Sequence, residues 1–257
     1  MLHGCLQTAD DFSAGTRMNF AAEESSCFVV YPEQPAAANA SKCWNWFRPG
    51  DQERGQGEPS LIAGITRQVM SDYSIDAEQV YAAGLSAGAA AAVILAATYP
   101  DVYAAVGVHS GLACGAASDI PSAFAAMRQS QPAARRRSGR SFPPGVVSRT
   151  VPAIVFHGDH DKTVHPHNGD QVVSQLREDA NTELRVTVQR GQMPGSRAYR
   201  RTLYVDANEQ VIFEQWIIHE AGHAWSGGNT AGSYTDPLGP DATREMLRFF
   251  LEHPMRF

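Results

Sequence analysis

The chain has 257 residues, 43% of them hydrophobic, with a formal charge of −6 and an isoelectric point near 5.8. That length and apolar content suffice for a sizeable core and favour one α/β domain spanning residues 1–257 over two. The acidic balance argues against nucleic acid as the main partner, and no run reaches the roughly 18 apolar residues that a membrane-spanning helix needs.

From the start of the chain, Met1-Leu2-His3-Gly4-Cys5 reads as the end of a buried strand and the loop after it. A strand averages about five to six residues, so a central strand, and any export signal, are expected upstream of Met1. The chain itself shows no signal-peptide pattern. Cys27 to Tyr31 reads as a strand ending at Pro32, and Ala36 to Gly57 as a long polar loop carrying Trp44 and Trp46. Pro59 to Tyr73 has Leu61, Ile62, Ile65, Val69 and Met70 at helical spacing. Gln79 to Ala83 reads as a strand, Ala89 to Ala97 as a helix, and Tyr103 to His109 as a strand covered on both faces. Ser130 to Thr150, rich in Pro, Arg, Ser and Gly, predicts a flexible excursion whose Arg135-Arg136-Arg137 cluster is solvated. Val151 to Phe156 is the next buried strand, with a helix from about Asn168 to Asp179. Leu184 to Gln189, Thr202 to Asp206 and Val211 to Ile218 read as strands, the last two joined by a turn at Ala207-Asn208, and Thr243 to Leu251 as a closing helix. Strands alternating with helices predict a mostly parallel central sheet with helices on both faces.

The chemistry starts at Gly84-Leu85-Ser86-Ala87-Gly88. A strand before it and a helix after it are the context in which G-x-S-x-G forms a nucleophile elbow, with both glycines leaving room for a sharp turn. A serine hydroxyl is a weak nucleophile at neutral pH. It needs a histidine to accept its proton and a carboxylate to hold that imidazole in the right tautomer. Chain order then places the acid in His157-Gly158-Asp159-His160-Asp161, after a buried strand, and the base in His219-Glu220-Ala221-Gly222-His223, after the last one. Asp161 is preferred over Asp159, because Gly158 and two further residues let the chain turn before presenting a side chain. His223, flanked by glycine, is the expected base, with His219 structural. The carbonyl oxygen charges during attack, so backbone N–H donors are expected from Ala87 and from the His3-Gly4-Cys5 loop, there Cys5.

A rival lies in the same segment: His219-Glu220-x-x-His223 matches a zinc-peptidase pattern, in which both histidines bind metal from one helix face. Gly222 costs a helix interior about 1 kcal/mol, Ser226-Gly227-Gly228 ends any helix soon after, and that reading leaves Ser86 and Asp161 unused. The expected site therefore holds no metal and no cofactor. The four cysteines fit no zinc module. A bridge between Cys5 and Cys43, in loops expected to border the site, would close a 38-residue loop and imply an oxidising compartment. Trp44, Trp46 and Trp225 lie in loops near the expected triad, open to two readings: packed core, or an aromatic rim for substrate, for which Trp44 and Trp225 are the candidates.

Leu2-His3-Gly4-Cys5-Leu6-Gln7-Thr8-Ala9-Asp10-Asp11-Phe12, Cys43-Trp44-Asn45-Trp46-Phe47, Gly84-Leu85-Ser86-Ala87-Gly88 and Gly222-His223-Ala224-Trp225-Ser226-Gly227-Gly228 together resemble the esterases of the polyhydroxybutyrate (PHB) depolymerase family. The resemblance runs from the first residues to the last helix. It implies an α/β-hydrolase fold and carboxylic-ester hydrolysis by Ser86, Asp161 and His223, and the chain is expected to be monomeric or weakly associating. It implies substrates among short polyhydroxyalkanoates, or the acetyl and feruloyl esters of plant polysaccharides, and an extracellular location. The family tends to carry the Cys5 and Cys43 pair together, which supports the bridge. The chain departs from the pattern in lacking the N-terminal strands and in placing Glu220 where a smaller residue is expected.

Overall fold

The computed structural model describes residues 1–128, 149–180, 182–192 and 194–255. Two helices, α1 (Ala9–Thr16) and α2 (Met18–Glu24), precede a long connection with one 3-10 turn at Pro49–Gln52. Then come α3 (Gly57–Asp72), β1 (Tyr81–Leu85), α4 (Ala87–Thr98), β2 (Ala105–His109) and α5 (Ile120–Met127). After the expected excursion, which falls mostly outside the described residues, follow β3 (Ala153–Gly158), α6 (His167–Ala180), β4 (Arg185–Gly191), β5 (Tyr199–Val205) and β6 (Val211–Ile218). The chain then forms two short strands, β7 (Trp225–Ser226) and β8 (Thr235–Asp236), and the helix α7 (Ala242–Glu252).

The main sheet has the order β1-β2-β3-β6-β5-β4. Its first four strands are parallel, and β5 and β4 extend it as an antiparallel edge. Leu2 adds a parallel bridge outside β1: its N–H donates to Ala83 O at 2.7 Å, and the Leu85 N–H donates to Leu2 O at 3.1 Å.

Alternation along the parallel strands sorts the core into two layers. Ala82, Val106, Val108, Ala153, Val155 and Phe213 pack on one side with α4 and with Val172 and Val173 of α6. Ala83, Leu85, Ala105, Ile154, Phe156, Trp216 and Ile218 pack on the other with Phe12 of α1 and Met246, Phe249 and Phe250 of α7. Helices thus cover both faces, as the sequence pattern predicts. The residues of α4 from Ala87 to Ala96 are buried all round, and this run of small side chains lets the helix lie close against β1 and β2. Helix α7 is amphipathic instead. Asp241 caps its N-terminus by accepting the Arg244 N–H at 3.0 Å, and burying an aromatic ring such as Phe249 contributes about 1.5 to 3 kcal/mol. Glu214, buried on β6, accepts hydrogen bonds from Arg201 at 2.7 Å and Arg248 at 2.9 Å, which compensates its desolvation and ties the antiparallel edge to α7.

The expected strand at Cys27 to Tyr31 is not formed. No ladder includes these residues, Phe28 is largely exposed, and the terminal amine of Met1 donates to Val30 O at 2.8 Å. A β-rich composition makes a strand only where a neighbouring backbone pairs with it.

Candidate active site

Parallel register brings the carboxyl ends of four strands to one edge, where Leu85, His109, Phe156 and Trp216 lie in one row. The residues just beyond those ends build the site. Ser86 ends β1 and caps α4 with φ 57° and ψ −119°, a backbone state that non-glycine residues adopt only when their surroundings hold them there. Here the surroundings are tight. A Cβ on Gly84 would meet the Gly88 carbonyl carbon at 2.4 Å, and one on Gly88 would meet Leu2 O at 2.1 Å. The turn around Ser86 therefore admits glycine alone at these two places, and the Ser86 N–H is held by His109 O at 2.9 Å.

Asp161 lies in the turn after β3, and His223 in the turn after β6. His223 Nδ1–H donates to Asp161 Oδ2 at 2.7 Å. The other carboxylate oxygen accepts the N–H groups of Thr163 and Val164, each at 2.9 Å, and His157 Nε2 lies 3.4 Å from Oδ2. Burial alone would raise the Asp161 carboxyl. The hydrogen bonds and charges of His157 and His223 outweigh it and hold the group well below the usual carboxylate range. Asp159, the reserve candidate, accepts from His219 Nδ1 at 2.8 Å and from the Glu220 N–H at 2.7 Å instead. Asp161, not Asp159, thus partners His223.

The same contacts dispose of the helix on which the zinc pattern depends. Residues 219–224 are not helical: the chain turns at His219-Glu220, with Glu220 at φ 58°, and the two histidines face separate carboxylates. They do not share one helix face.

His3-Gly4-Cys5 runs past Ser86: a methyl group on Gly4 would lie 3.5 Å from Ser86 Cβ. This loop is tied down at each step. His3 Nδ1–H donates to Gly4 O at 2.7 Å, while its Nε2 accepts the Gln34 N–H at 3.0 Å. Cys5 is disulfide-bonded to Cys43, and the Leu6 N–H donates to Ser41 O at 2.8 Å. A 38-residue loop closed this way stabilises the fold by about 4 kcal/mol on the chain-entropy account. The Ala87 N–H opens α4, and a first-turn amide has no carbonyl one turn below it to bond.

His109 closes the floor. Burial, helped by the nearby His157 and His223, pushes its pKa down to about 3, so the ring is neutral and its Nε2 accepts the Ser226 N–H at 3.0 Å. At the end of a buried strand, its place in the sequence is that of a satisfied core histidine, and the structure makes it a buried support for the segment after His223.

Trp44 and Trp225 do not form a rim. They are 4% and 1% exposed, and their indole N–H groups donate to His3 O and Thr243 Oγ1. Trp225 packs against the rings of Phe12 and His109. Both loops are near the site, but their indoles point into the core. The exposed aromatic beside His223 is Tyr234, whose ring meets the imidazole edge-to-face at a centroid distance of 6.4 Å. Sequence reasoning passes it over, since its loop has no hydrophobic period to mark it.

A second feature missing from the sequence reading links the two sides of the site. Gln7 Oε1 accepts the Gly4 N–H at 2.9 Å. Its Nε2 donates to Asp11 Oδ2 at 2.9 Å and to Ser233 O at 3.2 Å, and Asp11 in turn accepts the Ser233 N–H and hydroxyl. One side chain thus spans from the loop beside Ser86 to the residue before Tyr234. By contrast, a concavity of about 470 Å³ on the outer side of β1, lined by Ile62, Ile65, Val69 and Tyr81, includes none of Ser86, Asp161 or His223.

Comparison with known proteins shows the family and the fold. The family description "Esterase PHB depolymerase" matches residues 1–191. The chain is 34% identical over 248 residues to poly(3-hydroxyalkanoate) depolymerase C of Paucimonas lemoignei, a match covering 91% of the chain and 58% of that protein. It is 31% identical over 219 residues to feruloyl esterase B of Neurospora crassa, covering 82% of the chain and 73% of the relative. Among solved structures, an acetyl xylan esterase from Aspergillus awamori superposes with a TM-score of 0.65 at 20% identity, over 86% of this chain and 81% of that one, which shows the fold. With its largely parallel sheet and serine-bearing elbow, the chain belongs to the esterase PHB depolymerase family and has the α/β-hydrolase fold.

Proposed function

We propose that the chain hydrolyses carboxylic esters by a serine mechanism, with short polyhydroxyalkanoate-type esters as its substrates. Ser86 Oγ attacks the ester carbonyl and gives its proton to His223 Nε2. The charged oxygen is met by the N–H groups of Ala87 and Cys5, each such donor typically worth about 3 to 4 kcal/mol in the transition state. His223 then protonates the departing alcohol, leaving Ser86 acylated. Water attacks the acyl-enzyme with His223 as base, and the acid leaves as Ser86 recovers its proton. Asp161 fixes the imidazole so that Nδ1 carries the hydrogen and Nε2 is free to accept.

The observation that carries this reading is the His223–Asp161 hydrogen bond of 2.7 Å at the same sheet edge as the strained Ser86. Similarity to the Paucimonas lemoignei depolymerase supports the polyester class. The feruloyl esterase of Neurospora crassa, matched over more of its own length, supports a second reading as a carbohydrate esterase. The Cys5–Cys43 bond supports an oxidising, extracellular location.

The deciding experiment measures p-nitrophenyl butyrate hydrolysis by wild type and Ser86→Ala, each with and without a chelator. Activity is expected to disappear with the serine and to ignore the chelator. Activity that survives Ser86→Ala ends the proposal. A panel of hydroxybutyrate oligomers, acetylated xylan and methyl ferulate then separates the two substrate classes.

A further inference from the structure

Tyr234 sits in a backbone state that its type does not favour. Its φ is 51°, in the left-handed region where bulky residues are rare outliers. Its neighbours impose this state. Ser233 is gripped by Asp11 and Gln7, while Tyr234 O accepts the Trp225 N–H at 2.7 Å and Thr235 pairs with Trp225. A large aromatic ring is therefore held in strained backbone, yet it remains 42% exposed rather than filling the core. Packing does not explain that combination. The ring's position beside His223 does.

The chemistry of the proposed reaction says which side of the substrate lies there. The imidazole that protonates the leaving alkoxide must face the alcohol portion of the ester. The carbonyl oxygen lies on the other side, toward Cys5 and Ala87. A ring standing edge-to-face against His223 lies beside the group that would protonate the leaving alcohol. We infer that Tyr234 is a specificity-determining wall of the alcohol-side subsite, selecting esters whose leaving alcohol is apolar and long enough to reach its ring. This inference rests on the serine-esterase reading above. Gln7 and Asp11 position the wall: they hold Ser233, and Gln7 also holds Gly4 beside the nucleophile.

The test uses two substrate series on the full chain. One fixes the acyl group (methyl and benzyl butyrate), and the other fixes the alcohol (methyl acetate, butyrate and hexanoate). For Tyr234→Ala, the benzyl-to-methyl ratio of kcat/KM is expected to fall about tenfold, the scale on which one apolar contact discriminates. The ratios along the acyl series are expected to stay at their wild-type values, and Tyr234→Phe to keep the benzyl preference. Tyr234→Gly is expected to match the alanine variant in specificity while melting no lower than wild type, because glycine takes this backbone state without strain. An unchanged benzyl-to-methyl ratio, a shift in the acyl series, or a uniform loss with a lowered melting temperature would each overturn the assignment. Failure of the parent reading shows separately, as wild-type protein that does not hydrolyse esters or as Ser86→Ala that still does.

Discussion

Gly88→Ala tests whether the elbow and the first loop form one rigid unit. The added Cβ would lie 2.1 Å from Leu2 O and 2.6 Å from His3 O. Ordinary carbon-to-oxygen contacts begin at roughly 3.3 Å, so the two backbones must part by about 1 Å. Leu2 cannot easily yield, since it donates to Ala83 O and accepts from Leu85 N–H. The strain passes instead into His3-Gly4-Cys5, and the Cys5 N–H moves away from the carbonyl oxygen it is proposed to meet. Misplacement on the order of 1 Å costs about 100-fold in rate. Overpacking of this kind costs about 1 to 3 kcal/mol in stability, which lowers the melting temperature by several degrees in a chain of this size. The assay is steady-state hydrolysis of p-nitrophenyl butyrate, with circular dichroism melting alongside. Gly222→Ala is the control: it neighbours His223, but its added Cβ meets nothing within 4 Å, and near wild-type activity is expected. A folded Gly88→Ala enzyme with wild-type kcat would refute the coupling.

Asp161→Asn is expected to lower kcat by about 10⁴, because an amide NH₂ facing Nδ1 stabilises the wrong histidine tautomer. Asp159→Asn is expected to leave kcat near wild type, since Asp159 pairs with His219, and equal losses from the two would contradict the assignment. Acid should weaken the fold through His109, whose folded pKa of about 3 lies below its unfolded value near 6.5. Between those values the unfolded chain binds a proton that the folded one refuses, so stability drops by up to about 1.4 kcal/mol per pH unit as pH falls. Urea unfolding across this window should show a shallower pH slope for His109→Gln, and equal slopes would remove His109 as the cause. Gly64 lies exposed inside α3, where an added Cβ meets nothing within 4 Å. Gly64→Ala should therefore stabilise the protein by about 0.5 to 1 kcal/mol in chemical denaturation, with esterase activity unchanged.

The elements easiest to read in the sequence are those whose neighbours merely cover them. The amphipathic helix α3 announces itself through apolar period, whereas Phe213, Trp216 and Ile217 also fit helical spacing, and it is pairing with β3 and β5 that makes Val211 to Ile218 a strand. The elbow is legible because its glycines are dictated by clashes within a few residues and by one short loop. What the sequence misreads or leaves open shares a cause: it concerns direction or pairing, which sequence does not encode locally. Cys27 to Tyr31 has strand composition but no ladder, and Trp44 and Trp225 lie in the right loops with their indoles turned inward to His3 O and Thr243 Oγ1. The Asp159 and Asp161 alternatives differ by two residues, and only the fold decides which meets His223. Gln7 and Ser233, 226 positions apart, leave no mutual trace in one sequence.

That Gln7 bridge makes the spacing between two opposing surfaces a single quantity. Shortening or lengthening one amide side chain would shift the loop beside Ser86 and the loop carrying Tyr234 at once. Laboratory evolution toward bulkier esters would therefore do better to randomise Gln7, Asp11 and Ser233 jointly in one library. Scanning them one at a time would mostly return broken intermediates.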